Sequence, residues 1–177
     1  MYRIIENFSR KNFYGVLFFL FIIPLSAVSQ ESQIQELLDR AEIEDLISSY
    51  SYALDTLDAD SYAAVFTEDA ILDMGEGQVF HGKEEIKSLI FGILGAAERN
   101  NTTAPVTHHV ISNSTLEFVN NHRAINYSYF MTVLEGVDDG NLQIFSMGEY
   151  EDILVKTEAG WLFQSKKLLR NDNASAQ

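Results

Sequence analysis

Two hydrophobic periodicities divide the chain, and the change from one to the other falls near Pro105. Over Arg40–Leu57 the apolar residues Ile43, Leu46, Ile47, Tyr50, Leu54 and Leu57 recur at helical spacing, which predicts one long amphipathic helix with a single buried stripe. Ile34, Leu37, Leu38 and Ala41 continue that stripe backwards, so Gln30–Asp39 joins the same helix. The pattern breaks at Asp55–Asp60. There Asp58 or Asp60 can cap a short second helix carrying Tyr62, Ala63, Val65 and Phe66, because a short carboxylate accepts the free amide hydrogens of a first turn. Ala70–Met74 and Gln78–Phe80 are strand-like runs around a tight turn at Gly75–Gly77. Gly82 ends the second run, and Lys83–Glu98 is a third helix with Ile86, Leu89, Ile90, Ile93 and Leu94 on its buried side.

Beyond the polar loop Asn100–Pro105 the apolar positions alternate. Four long strands are expected at Thr107–Val119, Ala124–Leu134, Leu142–Lys156 and Trp161–Leu169, with turns at Asn120–Asn121, Gly136–Gly140 and Thr157–Gly160. Phe118, Phe145, Trp161 and Phe163 are expected to pack the sheet. Helices followed by antiparallel strands define an α+β order, with the helices on one face of a curled sheet.

The amino terminus follows another rule. Arg3, Arg10 and Lys11 precede an apolar run, Phe13–Leu25, and the small residues Ala27-Val28-Ser29. This is the layout of a secretory signal peptide, with cleavage expected between Ser29 and Gln30. The run is about 13 residues long, short of the roughly 20 that span a bilayer. The expected organisation is a signal peptide over 1–29, one domain over 30–170 and a polar tail over 171–177. Export would place the mature chain in the periplasm or outside the cell, with no stable membrane association.

Composition narrows the partners. The formal charge is −14 and falls to about −16 with the leader removed, a surface that repels phosphate backbones and anionic lipids. Nucleic acid is therefore not an expected partner. There are no cysteines, which removes disulfides, thiolate metal sites and a cysteine nucleophile. The four histidines lack ligand spacing, and Glu42, Glu44, Asp45, Glu84 and Glu85 lack calcium-loop spacing, so no metal is expected.

Four segments in order, IEDLISSYSYALDTLDADSYAAVFTEDAILD, FHGKEEI, THHVISNSTLEF and GEYEDILVKTEAGWLF, resemble the SnoaL-like branch of the nuclear transport factor 2-like superfamily, over about Ala41–Leu169. The resemblance implies a cone-shaped α+β barrel: a curved, mostly antiparallel sheet wrapped round a long N-terminal helix, with a deep apolar pocket open at one end. It also implies chemistry. Scytalone dehydratase and hexachlorocyclohexane dehydrochlorinase, of the same group, use an aspartate–histidine pair at the pocket floor, and that pair falls on Asp55 and His109. The dehydratase's second histidine falls on Ser128, and an arginine common before the Tyr of the GEYED-like strand is replaced by Glu149. A homodimer is common in this fold.

On these grounds His109 is the candidate general base, since a neutral imidazole abstracts protons near neutral pH, and Asp55 is its orienter. Such a dyad suits elimination of water or halide, or isomerisation beside a carbonyl, with no cofactor. Periodicity by itself places Asp55 roughly 130° from the centre of the apolar stripe, so only the resemblance turns it inward. His108 points to the opposite strand face from His109, His81 belongs to a strand end, and His122 to a hairpin turn. Tyr127 and Tyr129 share one face of their strand, Ser128 and Phe130 the other. Either pair can face the pocket, and Tyr52, Tyr127, Tyr129 and Ser128 are the substrate-binding candidates. The expected function is an exported, cofactor-free lyase or isomerase acting on a small apolar cyclic molecule. The alternative is a non-catalytic periplasmic binding or carrier module of the same fold.

Overall fold

A computed structural model of the protein describes residues 25–100, 102–135 and 141–169. Most of the expected leader, the turn Gly136–Gly140 and the tail 171–177 lie outside the described residues. The element order is α1 (Leu25–Asp55), α2 (Ala59–Ala64), β1 (Phe66–Asp73), β2 (Val79–His81), α3 (Gly82–Arg99), β3 (Val106–Asn120), β4 (Arg123–Glu135), β5 (Leu142–Thr157) and β6 (Gly160–Leu169). This is the expected α+β succession.

The six strands form one sheet in the order β2-β1-β6-β5-β4-β3, antiparallel throughout except for β1 beside β6. Its two edges, β2 and β3, are not paired with each other, so the cone is an open curved sheet rather than a closed barrel. The parallel β1–β6 pair is what lets helices and strands share one core. It returns the chain from α2 to the strand that follows the whole β3–β5 meander.

The core forms where α1 crosses the concave face. Ile43, Leu46, Tyr50 and Leu54 are buried, as the stripe predicts, together with Ala53. Tyr50, Tyr62, Phe66 and Phe163 meet with ring centroids 5.4–6.1 Å apart, mostly tilted or edge-on, the arrangement favoured by the aromatic quadrupole. Phe118 packs edge-on against Trp161 at 5.9 Å.

Several expectations need correction. Ile34, Leu37 and Leu38 are 51%, 66% and 58% exposed, because the first turns of α1 run beyond the surface that covers its later ones. The one buried residue there is Asp39, whose Oδ1 takes the Lys156 ammonium at 2.5 Å. Glu42 is not simply solvated: its Oε1 accepts the Trp161 backbone N–H at 2.9 Å and ties α1 to β6. Phe66 begins β1 instead of ending α2, since Val65 already caps that helix. Leu94 is exposed, and Phe145 lies open to solvent instead of packing the sheet.

Candidate active site

The site begins with how α1 stops. Leu57 takes a left-handed conformation (φ 54°). The Asp58 N–H then bonds to the Ala53 carbonyl at 3.0 Å, and the Leu57 N–H to that of Leu54 at 3.2 Å. This paired closure is a Schellman turn, and it makes Asp55 the last helical residue. Asp58, not Asp60, caps α2: its Oδ1 accepts the Asp60 and Ser61 N–H groups at 3.1 Å each. The chain is thereby reversed immediately after Asp55, whose side chain is left at the end of α1 facing β3.

On β3, His109 meets it. The Asp55 carboxylate accepts the His109 backbone N–H, at 3.1 Å to Oδ1 and 3.0 Å to Oδ2, and lies 2.6 Å from ring Nδ1. An ionised carboxylate only accepts, so the contact places a proton on Nδ1. The two side chains are 20% and 13% exposed, shielded but not sealed. β3 approaches the flank of α1, and the carboxylate meets it there.

Both residues line a cavity of about 710 Å³ between α1 and β3. Ile43, Ile47, Ile111 and Leu116 supply apolar wall, Ser48 and Ser51 hydroxyls, and Arg40 and Glu44 charges. Tyr52 also borders it but is 73% exposed. The open choice on β4 is resolved by register. Ala124, Asn126, Ser128, Phe130 and Thr132 are buried on the inner face, while Tyr127 and Tyr129 are 43% and 50% exposed on the outer one. The structure thus brings Asp55 and His109 together with Tyr52 at the edge, and it leaves Tyr127 and Tyr129 outside the cavity. Ser128 faces inward but does not border the cavity; with Tyr127 and Tyr129 it lines a smaller, separate depression completed by Asn113, Thr115 and Glu149, where β3 bulges. His108 and His122 are exposed, and His81 lies at the start of α3, with its backbone N–H on Glu85 Oε2 at 2.7 Å. Among the described residues no cluster of histidine and carboxylate side chains could hold a metal.

Beneath the cavity lies a group that periodicity missed. Asn126, Asp152 and Lys166 are directly opposite one another on β4, β5 and β6, all fully buried. Asp152 Oδ1 takes the Lys166 ammonium at 2.9 Å, and its Oδ2 accepts Asn126 Nδ2 at 3.1 Å. The ammonium sits over the rings of Tyr150, Tyr50 and Phe163 at 3.8, 4.4 and 4.8 Å. Burial pulls the Lys166 amine below its usual value, and the Asp152 charge and hydrogen bond restore it only in part. Burial likewise raises the Tyr50 and Tyr150 phenols. A sequence signal existed: an amide, a carboxylate and an amine stand at inward positions of three strands that also carry buried apolar residues. Reading it required the strand register.

Residues 35–167 match the family model of the SnoaL-like domain, and the chain belongs to that family. No curated protein matches it. Among solved structures, a candidate scytalone dehydratase from Novosphingobium aromaticivorans is 26% identical, covers 77% of this chain and 86% of its own, and superposes with a TM-score of 0.65. An NTF2-like protein with a cystatin-like fold from the same species is 20% identical over 88% of this chain and 99% of its own, with a TM-score of 0.70. A Catenulispora acidiphila protein solved in complex with S-DNPA is 19% identical over 78% and 97%, with a TM-score of 0.62. The last two speak for the fold, which is that of the nuclear transport factor 2-like superfamily. Family members are often lyases or isomerases.

Proposed function

We propose that the protein is a cofactor-free lyase or isomerase that removes a proton from a small, mostly apolar cyclic substrate. The observation that carries the reading is the 2.6 Å contact between Asp55 Oδ1 and His109 Nδ1 at the wall of a 710 Å³ cavity. Asp55 holds the Nδ1–H tautomer, so Nε2 is the base, and the carboxylate stabilises the imidazolium as the proton arrives. The same imidazolium can return its proton to a leaving hydroxyl or to a neighbouring carbon, which covers dehydration and isomerisation. A partly shielded cavity favours this, because a carboxylate–imidazolium pair strengthens where water is scarce.

His109→Ala tests it. Turnover of a panel of hydroxylated and α-protic cyclic ketones should fall about 10²–10⁴-fold with an unchanged thermal midpoint. Activity equal to wild type would end the reading. A binding or carrier module is the competing reading, favoured by Ser128, which faces inward where a second histidine would stand. It predicts that ligands leave the protein chemically unchanged.

The basic and apolar leader supports export of a chain beginning at Gln30, which N-terminal sequencing of the secreted form checks. The outer sheet face exposes Val106, Val110, Tyr129, Ile144 and Met147, and we place a second copy of the chain there. Sedimentation of a Met147→Lys variant as a monomer, against a dimeric wild type, is the expected outcome.

A further inference from the structure

Asn126 is held in a way that packing alone does not require. Its Nδ2 must face Asp152, because a carboxylate only accepts, and this fixes which way the carboxamide lies. Its Oδ1 is consequently turned away from Asp152, and no group among the described residues donates to it. A buried acceptor without a donor is costly, so such atoms are rare and call for a specific explanation. Asn126 is also part of the wall of the cavity that holds Asp55 and His109.

Its place in that cavity is distinctive. Thr132, six positions along β4, is the residue that pairs with His109, which puts Asn126 about 20 Å from the dyad measured along the strand. The wall of α1 from Arg40 to Asp55 has a similar length, about 22 Å at the helical rise. The cavity is thus an elongated groove with the dyad at one end and the amide towards the other.

We propose that Asn126 Oδ1 reads a hydrogen-bond donor on the ligand, a hydroxyl or N–H carried at the end remote from the reacting carbon. The inference rests on the reading that this cavity holds the substrate, and it assigns the substrate's class: an elongated, mainly apolar molecule of more than one ring with a distal donor. Asp152 and Lys166 are positioning residues. Lys166 occupies one oxygen of Asp152, leaving the other to hold Nδ2 and keep the carbonyl oxygen available. A methyl ether or ketone at the same place would set acceptor against acceptor and bind less well.

The test uses the exported chain, ¹⁵N-labelled, titrated with 2-naphthol and with 2-methoxynaphthalene, two bicycles that differ in the donor. Wild type should bind the naphthol about tenfold more tightly, and the side-chain amide signal of Asn126 should shift on binding. In Asn126→Leu, close in volume, the two affinities should agree within about twofold. Asp152→Asn should abolish the preference by strengthening 2-methoxynaphthalene, since its carbonyl stays on Lys166, its amide donates to Asn126, and the Asn126 group turns its NH₂ to the cavity, where phenol and ether oxygens both accept. A merely structural role would not strengthen the ether. Equal affinities in wild type, failure of both probes to bind, an unmoved Asn126 signal, or a preference surviving in Asn126→Leu would overturn the assignment. A preference surviving in Asp152→Asn would remove Asp152 from it. None of these readouts involves turnover, so they stand apart from the His109→Ala test of the dyad.

Discussion

The protein contains an aspartate–histidine pair and an aspartate–lysine pair on the same concave surface, and they differ in access to water. Asp55 and His109 are joined at 2.6 Å at a cavity wall, with 20% and 13% of their side chains exposed. Asp152 and Lys166 are joined at 2.9 Å, with 1% and 0% exposed, under three aromatic rings. On the proposed reading the first pair exchanges a proton with a ligand through Nε2, the ring nitrogen that does not face Asp55. The second is closed to solvent, its ammonium held by the Asp152 carboxylate and set over three rings. Burial makes the second pair a fixed frame, while the first, on the proposed reading, keeps enough access to act as a base.

The comparison is broken most forcefully by exchanging the consequences. Lys166→Met should cost about 3–5 kcal/mol of stability, because it strands the Asp152 carboxylate in the core, and urea unfolding measures it. Adding Asp152→Leu should recover most of that loss, since an apolar pair needs no compensation. A smaller effect on folding is expected at the open pair. Asp55→Ala should cost about 1–2 kcal/mol, for the lost bond to the His109 backbone N–H, while turnover falls with the dyad. If Asp55→Ala unfolded the protein and Lys166→Met did not, the contrast drawn between the two pairs would be wrong.

The smallest effect is expected in acid, at a third pair. Burial raises the Asp39 carboxyl, but hydrogen bonds from Lys156 and Gln35 and the Lys156 charge outweigh it and hold the group below its usual 3.8. A depressed carboxyl stabilises the fold fully above the unfolded value and loses that contribution as pH falls through the folded one. Asp39→Asn should therefore flatten the stability profile below about pH 4 and leave its shape above pH 6 unchanged.

How far the sequence carried depended on whether an element follows one face or needs a partner strand. The stripe Ile43–Leu54, the Asp58 cap and the alternation in β4 follow local periodicity, and they stand where expected. Ile34 to Leu38 continue the same stripe yet are exposed, because periodicity describes a helix face and not the extent of what covers it. Asp55 shows the converse. Periodicity sets it off the stripe, and it faces His109 because β3 approaches α1 from the side. Asn126, Asp152 and Lys166 are separated by 26 and 14 residues, and only the antiparallel register of three strands aligns them.

The central claim is that Asp55 fixes the Nδ1–H tautomer of His109 and so frees Nε2 as the base. The direct measurement is the ¹⁵N chemical shifts of the neutral His109 ring in wild type and in Asp55→Ala. The account predicts a protonated Nδ1 and a lone-pair-bearing Nε2 in wild type, giving way to Nε2–H in the variant. A wild-type ring protonated on Nε2, or one indifferent to Asp55, would contradict it.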